Sequence, residues 1–386
     1  MGRKQTKRQP VSALPPIEKA FLVGVQVRCE NNGWPLERSV EELRQLARTA
    51  GAEVVGSFTQ RLGAPNHTYY MGKGKLEELI SLREKLGYNL VIFDDELTPA
   101  QQRNLEEALE VKVIDRSALI LDIFAQRAKT HEGRLQVDLA QQEYLLPRLA
   151  GRWPHLERLG GGIGTRGPGE TQLESDRRII QRKIQRLKSE LEAVRKHRAL
   201  YRHHRSQQGI PVVAIVGYTN AGKSTLLNAL SDAKVLVEDK LFATLDPTTR
   251  RLTLPDKREV LITDTVGFIQ KLPPTVVAAF RATLEELSEA DLLLHIVDIA
   301  SDTAPQQCHT VEDILKDLGL VDKSTLLVLN KIDLLGGEVE PSDDEAVRKY
   351  IDQLCARVQK AAFISASKGW GLNRMLELIA EMLDKK

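Results

Sequence analysis

The chain has 386 residues, of which 42% are hydrophobic and 28% are charged; this is the composition of a soluble globular protein with room for two or three domains. Its formal net charge is only +2, so a basic surface can arise only where charge is segregated. The three widely spaced cysteines fit neither a disulfide framework nor a metal site and favour a reducing compartment. No apolar run approaches the roughly 20 residues that span a bilayer, and no signal segment follows the basic start. We therefore expect a cytoplasmic protein without an integral membrane segment.

The first part of the chain predicts a small α/β domain. Residues 1–16 contain three prolines and are predicted to be a loose tail. Over residues 17–130, helical patterns alternate with apolar runs at 21–27, 54–58, 90–93 and 111–114. Regular alternation of strand and helix predicts a parallel sheet covered by helices. We therefore assign residues 17–130 to one parallel α/β domain.

Two charged loops in this domain need an interpretation. Gly72-Lys73-Gly74-Lys75 precedes a predicted helix. It is either an anion-binding turn at a helix N-terminus or a plain glycine turn with solvated lysines, and the sequence leaves both readings open. Asp94-Asp95-Glu96 follows the third apolar run. We interpret these acids as caps of a helix that begins near Thr98, because no partner acids or histidines suggest a metal site.

Residues 131–208 predict two helices joined by a loop. Leu135, Leu139, Leu146 and Leu149 fall at near-heptad spacing, and a second such series runs from Ile180 to Val194. Two apolar seams separated by a loop predict an antiparallel helix pair. Thr171 and Glu174 form a capping-box pattern, which predicts that the second helix begins there. The glycine-rich stretch at 160–169 is either a flexible linker or a loop that orders on RNA or nucleotide.

The second helix is strongly basic. Residues 177–205 contain eleven Lys and Arg but only two Glu. Charge runs usually form a solvated face, but here the opposing acids are nearly absent, which favours a polyanionic partner. Few aromatic residues interleave the charges, which favours contact with phosphates over stacking on bases. The residues that we predict to contact RNA are Lys73, Lys75, Arg166, Arg177, Arg178, Arg182, Lys183 and Arg186.

A phosphate-binding loop opens the last part of the chain, residues 209–386. An apolar run at 210–216 is followed by GYTNAGKS and a helical pattern from 225. The glycines allow successive backbone amides to face one concavity, at the positive end of a helix. Lys223 is expected to reach the β- and γ-phosphates, and Ser224 to bind Mg²⁺. The predicted contacts are Gly217, Tyr218, Thr219, Asn220, Ala221, Gly222, Lys223, Ser224 and Thr225.

Three further motifs identify the nucleotide as GTP. Each follows an apolar run, in the order Asp264-Thr265-Val266-Gly267, Asn330-Lys331-Ile332-Asp333 and Ser365-Ala366-Ser367. Asp264 is expected to hold the Mg²⁺ shell, and the Gly267 amide to sense the γ-phosphate. The Asp333 carboxylate can accept from N1–H and the 2-amino group of guanine, donors that adenine lacks in that geometry, and unpaired buried acceptors reject the wrong base strongly. Asn330 is expected to support the ring edge, and the Ala366 amide to contact O6.

Together with the middle segment, these motifs resemble the HflX family of ribosome-associated GTPases over about residues 17–386. The most specific stretches are GGGIGTRGPGETQLESDRR at 160–178, LFATLDPTTR at 241–250 and DTVGFI at 264–269. The resemblance implies an N-terminal domain, a helical linker and a P-loop GTPase domain. It also implies binding of GTP, GDP and the large ribosomal subunit with its RNA and, in some members, separation of stalled ribosomes under stress. We expect a monomer.

The resemblance further implies that the first switch is Phe242-Ala243-Thr244-Leu245-Asp246, with Thr244 as the second Mg²⁺ ligand. Spacing alone leaves Thr248 and Thr249 as rivals. The residues expected to act in catalysis are Lys223, Thr244 and Gly267.

Turnover is predicted to be slow without a partner. Phe268 occupies the position where many GTPases carry a glutamine that orients water. Asn220 in the loop resembles GTPases that bind K⁺ beside the phosphates, although it also suits a tight turn. Two rival functions stay open: a GTP-dependent factor of RNA maturation or modification, and a peripheral membrane regulator. The basic helix lacks Trp and Phe along its seam, which argues against the membrane.

Overall fold

The computed structural model describes residues 17–27, 34–149, 168–206, 209–231, 241–242, 244–273, 276–277, 287–335 and 360–384, with side chains in the long basic helix described from 174 to 197. These residues form two sheets with a helical segment between them in sequence. The predicted α/β class is confirmed.

The first sheet is entirely parallel, as alternation of strand and helix requires. Its elements are β1 (Lys19–Val27), α1 (Leu36–Thr49), β2 (Glu53–Leu62), α2 (Lys73–Leu86), β3 (Leu90–Phe93), α3 (Pro99–Leu109), β4 (Lys112–Asp115) and α4 (Arg116–Arg127). The strand order is β2-β1-β3-β4. Neighbours Leu22 and Val23 of β1 enter two different apolar clusters, because successive side chains point to opposite faces and helices cover both.

The helical segment contains α5 (His131–Leu145), a 3₁₀ turn (Leu146–Leu149) and α6 (Pro168–Ser206). The predicted seams pack together: Leu135 and Leu139 are buried against Ile184, Leu187 and Leu191. The predicted start of α6 at Thr171 is wrong, since the helix begins at Pro168. Proline suits the first helical position because its missing N–H would be unpaired there anyway.

Ion pairs flank this seam. Lys183 binds Asp138, and Lys188 binds Glu143, each at 2.8 Å. Two acids of α5 therefore neutralise part of the positive charge of α6, and a count of charges along α6 alone misses them. The face of α6 with unopposed positive charge is narrower than the sequence predicted.

The second sheet brings the nucleotide motifs to one edge. Its elements are β5 (Val212–Gly217), α7 (Lys223–Leu230), β6 (Thr248–Thr253), β7 (Glu259–Asp264), β8 (Leu292–Asp298), α8 (Ala304–Asp317), β9 (Thr325–Asn330), a 3₁₀ turn (Ile332–Leu335), β10 (Ala361–Phe363) and α9 (Leu372–Leu383). The order is β10-β9-β8-β5-β7-β6, with β6 antiparallel to β7 and the other pairs parallel. The four motifs follow β5, β7, β9 and β10, whose carboxyl ends lie at the same edge.

A buried ion cluster joins the two α/β parts. Arg116, at the start of α4, is 1% exposed and donates to Asp94 at 2.7 Å and to Glu42. Glu42 also accepts from the phosphate-loop hydroxyl of Tyr218. The interpretation of Asp94 and Asp95 as helix caps is therefore wrong.

The helix after these acids is capped by its own residues. Thr98 accepts from the Gln101 amide, and the Gln101 side chain accepts from the Thr98 amide. Asp94 is left available for the cluster because this reciprocal cap already satisfies the helix end.

Within the described residues, none of the helices has the length and apolar character needed to cross a bilayer.

We predict that Arg116→Met lowers the free energy of unfolding by about 3–5 kcal/mol, because it leaves Glu42 buried without its cation and Asp94 with Lys271 alone. Chemical denaturation of the full chain measures this. Arg61→Met is the matched control: Arg61 is 68% exposed and pairs with exposed Glu37, so its effect should stay within about 0.5 kcal/mol. Equal effects of the two substitutions would contradict the prediction.

Candidate nucleotide site

The phosphate loop has the backbone shape that its sequence predicts. Gly222 has φ +96°, and a Cβ placed there would lie 2.2 Å from Asn330 Nδ2. Glycine is needed at this position for both conformation and space. Asn220 also has positive φ, at +61°, and is exposed. Asparagine tolerates this region better than most residues, so Asn220 suits the tight turn that its sequence also predicted.

Lys223 is buried in the loop that it serves. Its Nζ donates to the carbonyls of Gly217 at 3.1 Å and Tyr218 at 2.6 Å. Burial lowers the pKa of Lys223 to about 8, although Asp264 acts in the opposite direction. The ammonium is thus held at the mouth of the loop, where a phosphate can replace the carbonyls as its partner.

Three oxygen-bearing side chains meet beside this lysine. Ser224 Oγ lies 2.8 Å from Thr244 Oγ1, and both donate to Asp264 Oδ2, at 2.7 and 2.9 Å. Asp264 Oδ1 is buried without a partner, and burial raises the pKa of this carboxyl despite Lys223 and the two hydroxyls. This oxygen set fits Mg²⁺: the hydroxyls of Ser224 and Thr244 would hold the ion, with Asp264 beside it.

The structure separates Thr244 from its rivals. Thr248 and Thr249 lie in β6, and Thr249 Oγ1 is 2.9 Å from Thr263 Oγ1 on the neighbouring strand. Of the three threonines, Thr244 is the one beside Ser224.

The segment after Asp264 closes against the loop. A Cβ on Gly267 would lie 2.9 Å from both Lys223 Nζ and a side-chain carbon of Thr219. Phe268 donates its amide to Gly217 O at 3.1 Å and accepts from the Thr219 amide at 2.7 Å. Its ring is 1% exposed, so Phe268 lies beneath the loop and cannot orient water.

The predicted base-binding residues contact one another. Asn330 donates to Ala221 O at 2.8 Å and accepts from the Ala366 amide at 3.0 Å. The Asn330 side chain, expected at the ring edge of guanine, and the Ala366 amide, expected at O6, are thus hydrogen-bonded to each other. Asn330 also links the phosphate loop to the loop that contains Ala366. Asp333 Oδ1 is buried without a partner, as an acceptor reserved for the two guanine donors would be.

The flanking residues of these motifs support them. Lys331 pairs with Asp298 at 2.7 Å, Ile332 is buried, and the Ser365 hydroxyl lies 3.1 Å from that of Ser367. Thr265 donates to Ile215 O at 2.6 Å. Val266 is buried, and Thr225 lies in the first turn of α7. These side chains shape the loops.

Most of the predicted first switch faces the first domain. Phe242 packs edge-on against Phe124 of α4, with ring centroids 4.7 Å apart, and Leu245 is buried. Asp246 accepts from the amides of Lys129 and Thr130, both at 2.9 Å. The described side chains other than Thr244 therefore pack toward the first domain, and contact of this segment with nucleotide stays a prediction. Ala243 lies outside the described residues.

These contacts to the first domain were missed from the sequence. Glu42 and Tyr218 are 176 positions apart, and Thr130 and Asp246 are 116 apart. Neither pair leaves a local pattern that a single sequence could display.

The predicted RNA-contacting residues are scattered. Lys75 pairs with Glu78 at 2.7 Å and lies over the Phe58 ring, which supports the plain-turn reading of its loop. Lys73 is exposed at the start of the same helix. On α6, Arg177 and the series Arg178, Arg182 and Arg186 are exposed, while Lys183 is paired with α5. Arg166 lies outside the described residues.

Arg178, Arg182 and Arg186 share one face of α6, because residues four apart are neighbours on a helix. Arg178 and Arg186 each pair with a glutamate of the same helix.

Comparison with known proteins agrees with this organisation. Residues 37–125 match the model of the GTP-binding GTPase N-terminal region, residues 127–205 that of the GTP-binding GTPase middle region, and residues 212–331 that of the 50S ribosome-binding GTPase. These matches cover the site motifs up to Lys331.

Whole-chain relatives give the same result. GTPase HflX of Caldanaerobacter subterraneus is 52% identical over 369 residues, covering 96% of this chain and 81% of that protein. GTPase HflX of Escherichia coli is 45% identical over 344 residues, covering 89% and 79%. The solved complex of SsGBP with GDP is 25% identical, covers 96% of this chain and 99% of that one, and superimposes with a TM-score of 0.50.

We predict that Asp333→Asn weakens GTP binding by about 100-fold, because the amide replaces an acceptor with a donor facing the guanine 2-amino group. Xanthosine triphosphate, which carries an oxygen at that position, should bind the variant better than GTP does. Fluorescence titration with both nucleotides measures this. Asp322→Asn, at an exposed position, is the control and should leave both affinities unchanged; unaltered base preference in Asp333→Asn would contradict the assignment.

Proposed function

The chain belongs to the HflX family of GTPases, and from that premise we propose that it binds the large ribosomal subunit in its GTP form and leaves it after hydrolysis. The chain is a GTP-binding and GTP-hydrolysing enzyme. We propose residues 17–130 and the hairpin at 131–208 as the ribosome-facing part and residues 209–386 as the GTPase domain. Separation of stalled ribosomes into subunits under stress is the finer form of the proposal.

The observation that carries the proposal is the contact between the first switch and α5. Two residues after Thr244, Asp246 holds the start of α5 by accepting from the amides of Lys129 and Thr130 and from the hydroxyl of Thr130, the N-cap residue of that helix. A carboxylate there is also favoured by the helix dipole. A change around Thr244 therefore acts directly on the helix that holds α6 and its basic face.

The charge of α6 supports RNA as the partner. Arg178, Arg182 and Arg186 form an exposed row, and such rows bind phosphates in a salt-dependent manner. The match of the GTPase domain to 50S ribosome-binding GTPases supports the large subunit as the source of that RNA.

Hydrolysis depends on this chain's residues in three ways. Lys223 would supply positive charge to the β- and γ-phosphates, the Gly267 amide would contact the γ-phosphate, and Phe268, which is buried, cannot orient the attacking water. Mg²⁺, when bound, neutralises developing phosphate charge. K⁺ bound near Asn220 would add positive charge beside the phosphates, and we propose it as a second cofactor.

We predict GTP-dependent cosedimentation with large subunits in sucrose gradients. The chain should travel with the subunit when loaded with a non-hydrolysable GTP analogue and remain at the top with GDP. Arg178→Glu combined with Arg182→Glu should weaken this association at least tenfold and flatten its salt dependence.

The control for this experiment is Arg251→Glu combined with Arg374→Glu, which reverses the same charge at side chains 61% and 64% exposed outside α6. Binding that ignores the nucleotide, or equal losses in both double variants, would contradict the proposal. Ribosome splitting is tested by mixing the chain with whole ribosomes and measuring, in sucrose gradients, whether free subunits appear.

We predict slow turnover by the chain alone, about 10⁻⁴ per second, and strong acceleration by large subunits, because a partner must supply the missing catalytic group. Phosphate release with and without subunits measures this. Equal rates would contradict it.

The same assay tests the second cofactor. Replacing K⁺ by Na⁺ at constant ionic strength should lower the rate of the wild-type chain and leave Asn220→Ala unaffected. Equal wild-type rates in the two salts would exclude a role for K⁺.

A further inference from the structure

The segment that follows Gly267 is anchored in the first domain. Ile269 is fully buried in the apolar cluster that contains α1 and α4 residues. Gln270, 5% exposed, donates its side chain to Ser39 Oγ of α1 at 2.9 Å. Lys271 reaches both Asp94 and Asp95 with its ammonium. Three consecutive residues of the GTPase domain, 269–271, therefore contact the first domain.

The place that receives Lys271 is the ligand-binding edge of the first sheet. In the order β2-β1-β3-β4, the strand that follows β1 in sequence lies on one side of it and β3 and β4 lie on the other. The topological switch point is therefore between β1 and β3. In open parallel sheets, ligands bind in the crevice at the carboxyl ends of the strands at such a point. Asp94 and Asp95 directly follow β3. The ammonium of Lys271 lies at this edge, against Asp94 and Asp95.

The contacts around Lys271 form a closed ring. Asp94 Oδ2 accepts from Lys271 Nζ at 2.6 Å and from Ser39 Oγ at 2.6 Å, and Ser39 Oγ accepts from Gln270. Lys271 itself has φ +52°, a left-handed conformation that is costly for a non-glycine residue and persists where surrounding contacts enforce it. The ring supplies those contacts.

The other end of the segment is fixed to the phosphate loop. The Tyr218 hydroxyl accepts from the Gln270 amide at 2.9 Å and donates to Glu42. Gly267 has no free space toward Lys223 and Thr219. Held at both ends, the segment keeps the Gly267 amide at the phosphate loop, where GTP requires it and GDP, lacking a γ-phosphate, does not.

We propose that Lys271 is a positioning residue for γ-phosphate recognition: its ammonium, inserted between Asp94 and Asp95, lets the first domain hold residues 267–271, here called the second switch, against the phosphate loop and so sets the preference of the enzyme for GTP over GDP. Lys271 acts through Gly267 and touches no nucleotide. The first domain is in this sense a built-in effector of nucleotide selectivity, independent of any ribosome.

The test is the ratio of affinities for a non-hydrolysable GTP analogue and for GDP, measured by fluorescence titration of the full chain without ribosomes. Lys271→Met should lower the preference for the analogue about tenfold, a typical coupling between two sites, with GDP affinity unchanged. Lys271→Arg, which keeps the charge, should retain most of the preference. Lys316→Met, at an exposed lysine of α8, is the matched control and should not change it.

A second variant guards against a simple folding defect. Asp95 is 13% exposed in its side chain and belongs to the same contact, so Asp95→Asn should lower the preference in the same direction. The double variant with Lys271→Met should lose no more than Lys271→Met alone. An unchanged ratio in Lys271→Met, or equal loss of both nucleotides, would overturn the proposal. Because ribosomes are absent, neither result bears on ribosome binding.

Discussion

A guanidinium buried between two carboxylates fixes how the parts of this enzyme meet. Arg116 cannot lose its proton, so once buried it requires acids on both sides. The pKa of Asp94 lies below its ordinary value because Arg116 and Lys271 together outweigh the effect of burial. In Glu42, burial outweighs Arg116 and raises the pKa. The Tyr218 hydroxyl donates to Glu42 and the Lys271 ammonium pairs with Asp94, which ties the phosphate loop and the segment after Gly267 to the first domain.

Each loop that surrounds the phosphates therefore has two faces. In the phosphate loop, Tyr218 contacts Glu42, and the amides and Lys223 are proposed to bind the nucleotide. In the first switch, Asp246 contacts the start of α5, and Thr244 is proposed to bind the metal. After β7, Lys271 contacts the first sheet, and Gly267 is proposed to contact the γ-phosphate. Because at most five positions separate the residues on the two faces, neither face can move far without the other, which is how a small local change becomes a change between domains.

Local features of this chain were predictable, and long-range ones were not. GYTNAGKS defines its own turn, so contiguous residues suffice to predict it, and alternating runs predict both sheets. The helix caps proposed for Asp94 and Asp95 failed because Thr98 and Gln101 already satisfy that helix, and the true partner, Lys271, is 177 positions away. The acids of α5 were overlooked for the same reason: one sequence shows which residues are charged but not which charges meet.

The position of α5 explains how nucleotide chemistry can reach a basic helix that touches no nucleotide. Its N-cap residue, Thr130, is held from the GTPase domain by Asp246. The acids of α5 hold Lys183 and Lys188 of α6. A displacement of the first switch must either carry α5 with it or break three hydrogen bonds at its cap. Since α5 also packs on α6 along an apolar seam, a movement of α5 with the switch would also move Arg178, Arg182 and Arg186. Breaking the bonds instead leaves the amides of Lys129 and Thr130 at the start of α5 without this acceptor, so the switch and the helix are expected to move together.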